Sequence, residues 1–495
     1  MSQGSSYRNI LKSTILIGGS SALNILIGMV RAKFVATLIG PAGVGLIGTY
    51  NQITGLVTTV SGLGLGRSGV RQVAEAVGSG DDAVVARTVL TLRRTVWITG
   101  AIGMLAMVLF CFPISHITFS GGQYAWSIAL LGITILLSSI ASGQACVLQG
   151  NRRVGDLARI SVLGALNGTL ISIPCFYLWG MNGIVPSMIL SAAAALVTSW
   201  WFARRVPVRK VPLSWGESRD EARQLLSLGV GLMGGSLVSN ICTYLVQILI
   251  VRQFNLEGAG ICQAALGLSA VFVGFVLSAM GTDYYPRLAA VSNDHQALER
   301  MVNEQLEVSI LLALPGLAAM IVMAPWIIRL FYSSSFVAAV PVLRWCCFGM
   351  LGRVFSWPLG YVLMAKGKGR LCFMTDAGSA LMHLASVFLL SKLIGINGVG
   401  MALIAQNVFY TAAMVVIIKK VAGVSWSRGT TLLTLFSLGL LSLLMVNLTY
   451  NDNVWTSWGI NIALVLLSVL LCLRQLVAKS EMNVWEYVMA KLRLT

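Results

Sequence analysis

The sequence predicts an all-α polytopic membrane protein with about 14 transmembrane helices, arranged as two duplicated six-helix lobes plus a C-terminal helix pair. Three observations support this fold class: an apolar composition, long intervals without charge and an uneven distribution of Lys and Arg. Of the 495 residues, 57% are hydrophobic and 11% are charged, whereas soluble domains contain about 25% charged residues. The composition therefore disfavours a chain that folds in water, and the net charge of +18 needs a separate explanation.

The longest intervals without Asp, Glu, Lys or Arg are residues 95–151 and 160–203. About 20 apolar residues cross a bilayer as a helix, and a helix satisfies its own backbone hydrogen bonds in lipid. Turn residues such as Phe112-Pro113, Gly121-Gly122 and Trp179–Gly183 divide these intervals. The predicted spans are residues 11–38, 43–66, 89–113, 124–148, 159–179, 182–203, 222–251, 258–281, 305–329, 337–364, 371–392, 397–419, 430–450 and 456–475.

The positive charge is distributed unevenly among the loops that these spans define. With the N-terminus placed in the cytoplasm, 28 of the 35 Lys and Arg residues fall on the cytoplasmic side, 3 in outer loops and 4 inside spans. Cytoplasmic loops of membrane proteins carry such an excess, so both termini are predicted to be cytoplasmic. Topology therefore explains most of the charge, and no nucleic-acid partner is predicted.

Motifs for cofactors, metals and catalysis are weak or missing in the sequence. The 9 Cys residues show no CxxC or Cys/His ligand spacing, so no metal site or disulfide scaffold is predicted. The stretch Gly64-Leu65-Gly66-Arg67-Ser68-Gly69 fits G-x-G-x-x-G. It ends a membrane span and follows no strand, so it does not predict a dinucleotide site. No ATP-binding motif is visible, and no cofactor is expected.

A short internal repeat predicts the division into lobes. Gly234-Gly235-Ser236 with Asn240 repeat the pattern of Gly18-Gly19-Ser20 with Asn24 at an offset of 216 residues. Because six is an even number, two six-helix units would enter the membrane in the same orientation. Chance similarity between glycine-rich helices is the alternative. The predicted parts are an N-lobe (1–210, spans 1–6), a C-lobe (211–425, spans 7–12), a C-terminal helix pair (426–478, spans 13 and 14) and a cytoplasmic interfacial tail (479–495).

Polar side chains recur on one helical face of span 1 and of span 7. The two faces consist of Ser20, Asn24 and Arg31 in span 1 and of Asn240, Tyr244 and Gln247 in span 7. Polar groups that face lipid are costly, so both faces predict the lining of a substrate cavity between the lobes. Hydrogen bonding between neighbouring helices is the alternative. Gln52 in span 2 is a further candidate for bonding to substrate hydroxyls.

Two intramembrane arginines are candidates for binding an anionic substrate. Arg31 continues the polar face of span 1, and its planar donors suit a phosphate or pyrophosphate. Arg353 in span 10 is followed at helical spacing by Trp357, and a cation beside an aromatic ring suits a phosphorylated sugar. For both arginines, extension of the side chain to the nearer membrane interface is an equal alternative.

Span 11 contains Asp376 and His383, which lie seven residues apart and therefore on one face. A carboxylate and an imidazole inside a membrane suit ion or proton coupling. The alternative is an ordinary interfacial ion pair between Asp376 and the basic residues 366–370.

Two stretches carry a resemblance to a known family. Residues 31–45 (RAKFVATLIGPAGVG) with Tyr50–Ile53, and residues 281–288 (GTDYYPRL), resemble Wzx-type flippases. These flippases belong to the multidrug/oligosaccharidyl-lipid/polysaccharide (MOP) exporter superfamily. Arg31 matches the arginine near the end of helix 1 in that family. Many Wzx proteins have 12 spans, so spans 13 and 14 are a departure from the family pattern.

The resemblance implies a multi-pass protein of the bacterial inner membrane that acts in O-antigen or exopolysaccharide biosynthesis. It would translocate undecaprenyl-pyrophosphate-linked oligosaccharide to the periplasmic leaflet by alternating access of two lobes. Its partners would be this lipid-linked oligosaccharide, membrane lipids and other polysaccharide-assembly membrane proteins. A cation-coupled multidrug exporter of the same superfamily is the alternative. A polysaccharide polymerase or glycosyltransferase ranks lower, because the predicted outer loops are short and carry almost no charge.

Overall fold

The computed structural model describes residues 3–209, 211–451 and 453–480, and these residues are almost entirely helical, with no strand among them. The helices are α1 (Gln3–Gly62), α2 (Leu65–Gly78), α3 (Asp82–Leu109), α4 (Cys111–Phe119), α5 (Ala125–Gly150), α6 (Val154–Trp179), α7 (Ile184–Ala203), α8 (Trp215–Ala290), α9 (His295–Val322), α10 (Ala324–Phe331), α11 (Ala339–Ala365), α12 (Gly369–Ile394), α13 (Asn397–Ala422), α14 (Arg428–Tyr450) and α15 (Val454–Ser480). Short 3-10 turns occupy Gly180–Gly183 and Ser334–Phe336. The predicted interfacial tail lies outside the described residues from position 481 onward.

Eleven helical segments of the described chain are long and apolar enough to cross a membrane. Three of them have 45, 50 and 46 residues, which is more than twice the about 20 that one crossing needs. Each of these three contains one break, at Gly40, at Gly180–Gly183 and at Asn255. Each therefore provides two crossings, which accounts for the 14 predicted spans.

The backbone breaks repeat along the chain and confirm the duplication. Three pairs of left-handed positions recur at an offset of 215 residues: Gly40 and Asn255, Arg152 and Gly367, and Gly180 and Gly395. Gly40 (φ 64°, ψ −171°) and Asn255 (φ 59°, ψ −173°) have nearly the same backbone conformation. Helices α3 and α9 both contain 28 residues, and α6 and α12 both contain 26.

Predicted spans 3 and 9 extend too far towards their C-termini. Helix α3 ends at Leu109 and α4 begins at Cys111, while α9 ends at Val322 and α10 begins at Ala324. Pro113 and Pro325 each lie in the first turn of the new helix. Proline lacks the N–H that would bond to the preceding helical turn, but it is tolerated in the first turn of a helix. The stretch 114–123, which the sequence predicts to be an outer loop, is therefore largely helical.

The chain divides into two compact units, residues 1–263 with 331–335, and residues 264–330 with 336–495. In the first unit, α1 packs on α6 and α3 packs on α5, around buried Tyr50, Ile128 and Leu131. In the second unit, α11 packs on α13 and on α9, and α14 and α15 also pack on α9. The lobe boundaries at 210 and 425 stay predictions.

Candidate functional site

The polar face of α1 packs against α6 in the first unit. The Asn24 amide donates to the Ser161 hydroxyl over 2.7 Å. One Arg31 guanidinium nitrogen lies beside Gly168, where an added Cβ would meet it at 3.2 Å. Because both pairs are seven residues apart, the two helices run in parallel here with matched turns. Ser20 is half-buried on the same face of α1.

Arg31 is half-buried, and its guanidinium occupies space that Gly168 leaves by having no side chain. Within the described part of the chain, the guanidinium has no carboxylate or other hydrogen-bond partner. An arginine that is partly removed from water needs acceptors. Its five donors suit a phosphate oxygen pair bidentately. A half-buried guanidinium with free donors can bind an anion that reaches it.

The polar face of α8 makes hydrogen bonds to other helices of the same unit. Gln247 donates to Thr49 over 2.8 Å, and Asn240 donates to Thr59 over 2.7 Å. The oxygens of Tyr244 and Thr118 lie 2.6 Å apart. These three side chains thus join α8 to α1 and α4 in this conformation, which is the alternative considered for the polar faces.

Gln52 differs from the α8 residues. It is half-buried in the second half of α1. Among the described residues it has no hydrogen-bond partner, so its amide stays available for another ligand.

Close backbone contacts join α1 to α8 in the first unit. A Cβ at Gly45 would overlap the carbonyl oxygen of Leu256, and a Cβ at Gly260 would overlap the carbonyl oxygen of Pro41. Only glycine permits this approach. Gly43-Val44-Gly45 opens predicted span 2, and Gly258-Ala259-Gly260 opens predicted span 8 at an offset of 215 residues. The sequence shows the repeat, but it does not show that the repeated glycines meet.

A ladder of polar contacts joins α12 to α13 in the second unit. The Tyr410 hydroxyl donates to the Asp376 carboxylate over 3.2 Å, and the Gln406 amide donates to the Ser379 hydroxyl over 3.1 Å. One turn further along α12, the His383 imidazole bonds to the backbone of Ala402. Its Nδ1 is buried without a hydrogen-bond partner in the described chain. Asp376 and His383 therefore occupy one seam, as their spacing predicts.

The structure brings Arg353 of α11 close to this seam. Its guanidinium interacts electrostatically with both Asp376 and Tyr410. Arg353 and Asp376 are both exposed on the protein's own surface. Separate sequence features pointed to each of them, and the packing of α11, α12 and α13 places them near one another.

Trp357 lies in an aromatic cluster with Tyr284 and Tyr361. The Trp357 and Tyr284 rings stack with centroids 5.8 Å apart, and the Trp357 and Tyr361 rings meet edge-on at 4.9 Å. The Tyr284 hydroxyl donates to the Pro358 carbonyl over 3.2 Å, and burial raises the pKa of this hydroxyl above its ordinary value. Gly281 leaves room for the rings of Trp357 and Tyr361. The cluster thus packs the second family-like stretch against α11.

The described residues include no group of three or more His, Cys, Asp or Glu that could hold a metal ion. Ser161, which bonds to Asn24, and Gly168, which leaves room for Arg31, were not singled out from the sequence. A glycine seven residues after a serine in an apolar span is too common to identify them.

Comparisons with known proteins agree with the fold and with the predicted resemblance. The lipid III flippase of Escherichia coli (strain K12) is 21% identical over 413 residues, which cover 81% of this chain and 96% of that protein. The lipid II flippase MurJ in an inward closed conformation superposes with a TM-score of 0.73 at 14% identity, covering 94% of this chain and 100% of MurJ. An inward-facing MATE transporter of the MOP superfamily superposes with a TM-score of 0.69 at 14% identity, covering 83% of this chain and 98% of that chain.

These relatives are flippases or transporters by name. A family model described as "Polysaccharide biosynthesis protein" matches residues 34–341. That match covers more than half of the chain, which therefore belongs to the polysaccharide biosynthesis protein family.

Proposed function

We propose that this chain is a flippase that moves an undecaprenyl-pyrophosphate-linked oligosaccharide from the cytoplasmic to the periplasmic leaflet. The observation that carries the proposal is Arg31, a half-buried arginine in a membrane span without an acceptor among the described residues. Pyrophosphate supplies acceptors of the required charge and geometry. The family and the lipid III flippase of E. coli support the same substrate class.

The headgroup binds along the polar face of α1. Arg31 holds the pyrophosphate, while Asn24 and Gln52 bond to sugar hydroxyls. The Asn24 side-chain oxygen is buried and has no hydrogen-bond partner in the described chain, so it can accept from a hydroxyl. The lipid tail stays in the bilayer, where its apolar surface costs nothing to solvate.

Alternating access requires α1 and α8 to separate and to meet again. The glycine contacts at Gly45 and Gly260, together with the Gln247–Thr49 hydrogen bond, stabilise the state in which the helices meet. Breaking them opens the face of α8 that carries Asn240, Tyr244 and Gln247. The same polar groups then serve as helix contacts in one state and as substrate ligands in the other.

The Arg353–Asp376–Tyr410 group supplies ion or proton coupling, with His383 further along the seam. A carboxylate beside an arginine and a phenol changes its interactions when it is protonated or binds a cation. Because α11, α12 and α13 each contribute one residue, that change alters the packing of three helices. Trp357 lies one turn from Arg353 and offers an aromatic face to a sugar ring.

A cation-coupled multidrug exporter is the second candidate function. The superposition on a MATE transporter favours it, as does the intramembrane carboxylate Asp376. A drug exporter for cationic compounds would leave Arg31 without a role, and this weakens the candidate. Under the flippase proposal the protein resides in the bacterial inner membrane, with both termini in the cytoplasm and other polysaccharide-assembly membrane proteins as neighbours.

Deletion of the gene tests the function directly. In a strain without a second flippase, we expect loss of one surface polysaccharide and accumulation of its lipid-linked precursor on the cytoplasmic leaflet, measured by labelling of surface glycan and by mass spectrometry of extracted lipids. Complementation with the wild-type chain should restore both. Normal surface polysaccharide combined with lost efflux of cationic dyes would instead support the drug exporter.

A further inference from the structure

The stretch from Gly62 to Arg67 forms a turn that leads into a helix N-terminus in the first unit. Leu63 (φ 46°) and Gly64 (φ 72°) are both left-handed, and α2 begins at Leu65 without a side-chain cap. At this N-terminus the Arg67 and Ser68 N–H groups bond to the Gly64 carbonyl. This leaves the N–H groups of Leu65 and Gly66 without a backbone partner among the described residues. A glycine turn that feeds such an N-terminus favours anions. The G-x-G-x-x-G pattern thus fails as a dinucleotide motif but keeps the local geometry that binds phosphate.

A cavity of about 250 Å³ opens at this turn. One water needs about 10–15 Å³ by the same kind of measure, so the cavity can hold a phosphate group with water. Six hydroxyl side chains and one arginine contribute to its lining. They are Thr58, Thr59, Thr99, Ser139, Ser142, Ser236 and Arg67.

Ser139 is the observation that points to a ligand. Ser139 is only 8% exposed, and it lines the cavity. Its hydroxyl has no hydrogen-bond partner in the described chain, whereas the hydroxyls of Thr59 and Ser236 bond to backbone carbonyls of their own helices. The hydroxyl therefore opens into the cavity, where a ligand can bond to it.

The cavity and Arg31 lie at different depths along the membrane spans. The 22 helical steps from Gly40 to Gly62 extend about 33 Å, which is roughly one bilayer. Arg31 precedes the break at Gly40 by nine residues, whereas Arg67 follows Gly62. In the predicted topology, Arg67 is at the cytoplasmic end and Arg31 is in the outer half.

We propose that the Gly62–Arg67 turn and its cavity form a second anion subsite, which binds a phosphate group at the cytoplasmic end before it reaches Arg31. The donors are the Arg67 guanidinium, the N–H groups of Leu65 and Gly66 at the start of α2, and the Ser139 hydroxyl. The subsite rests on the proposed function for its natural ligand, the pyrophosphate of a lipid-linked sugar. Free phosphate or pyrophosphate shares the same chemistry.

The test uses the full chain carrying Arg31→Gln, so that the first anion site no longer contributes to binding. The protein is placed in phosphatidylcholine nanodiscs and titrated by calorimetry with inorganic pyrophosphate and, in a separate arm, with farnesyl pyrophosphate. Arg67→Gln should weaken binding about 10-fold, and Ser139→Ala about 3- to 10-fold. The matched control is Arg71→Gln, one turn later on α2, where the arginine is exposed and pairs with Glu75 at 2.7 Å. It should change the affinity less than about 2-fold.

Equal losses for Arg67→Gln and Arg71→Gln would overturn the subsite, because they would show only a general charge effect. Unchanged affinity in Ser139→Ala would overturn it too, and this small change keeps the test valid if Arg67→Gln does not fold. Residue-dependent binding in both arms supports a phosphate subsite, and residue-dependent binding of farnesyl pyrophosphate alone supports one for lipid-borne phosphate. The test does not depend on transport, so normal flipping with residue-independent binding would reject the subsite alone.

Discussion

Two intramembrane arginines, one in each compact unit, have opposite surroundings. Arg31 lies against Gly168, and no described residue accepts its hydrogen bonds. Arg353 interacts with Asp376 and with Tyr410, which donates to that same carboxylate. Both positions drew attention from the sequence for the same reason, a cation inside an apolar span. In the structure, their environments differ.

From this difference in surroundings we infer that the two units have different roles in transport. A cation without an internal acceptor gains most from an anionic ligand, because the ligand supplies the charge that the protein omits. A cation that already faces a carboxylate gains less from a ligand and more from keeping its neighbour ionised. We therefore expect Arg31 to govern substrate affinity, and Arg353 to govern how transport depends on cations or protons.

The largest effect should come from Arg31→Gln. Loss of charge-assisted hydrogen bonds to pyrophosphate should lower the transport rate about 10- to 100-fold at low substrate. The measurement is flipping of a fluorescent lipid-linked oligosaccharide in proteoliposomes. Lys33→Gln is the matched control, since this lysine is two residues away and its amine binds the backbone carbonyl of Tyr332.

Equal losses of transport rate in Arg31→Gln and Lys33→Gln would contradict the comparison. They would mean that any cation near this end of α1 supports transport. Arg31→Lys sharpens the point further. It keeps the charge but loses the planar pair of donors, so partial activity is expected.

A second, smaller effect concerns how the headgroup reaches Arg31. Gly260→Ala places a methyl group where the Pro41 carbonyl lies, so α1 and α8 must separate. Overpacking of this kind costs about 1–3 kcal/mol, which should shift the chain towards the separated state. Spin labels at Asn51→Cys and Glu257→Cys, both exposed positions, should then report a longer mean distance. Eight of the nine native cysteines are buried and should label poorly.

Gly267→Ala is the control on the same helix, since a Cβ there meets nothing within 4 Å. If both variants give the wild-type distance, the glycine contact does not hold the two helices together. A shift in Gly260→Ala alone shows that it does.

The fold was largely predictable because its signals are local. Charge-free intervals and turn residues place the spans, and the repeated glycines show the duplication before any contact is known. The breaks at Gly40 and Asn255 fall in the predicted gaps between spans. Helices α4 and α10 were missed because a proline can end one helix or begin the next, and apolar residues continue on both sides.

The site was less predictable because it depends on contacts between distant segments. Helical spacing placed Asn24 and Arg31 on one face, but it did not identify α6 as the neighbour. It also gave no reason to connect Arg353 in α11 with Asp376 in α12. The polar face of α8 shows the limit most clearly, since periodicity cannot distinguish a ligand-binding face from one that bonds to another helix.

The smallest expected effect is the energetic coupling between Arg353 and Asp376, which tests the role of the second unit. Arg353→Gln and Asp376→Asn should each change the cation or pH dependence of flipping more than the affinity for substrate. Because the two residues share one network, the double variant should lose less than the sum of the single losses. The coupling should be about 1 kcal/mol or less, since both side chains are exposed on the protein's own surface.

A double-mutant cycle on transport rates at saturating substrate measures this coupling, and Arg31→Gln combined with Asp376→Asn provides the matched comparison. Arg31 has no partner in the described chain, so that second pair should be additive. If the two cycles gave the same coupling, the contrast between the arginines would be one of position only. A coupling energy confined to Arg353 and Asp376 would support separate roles for the two units, with ion coupling in the second and anion binding in the first.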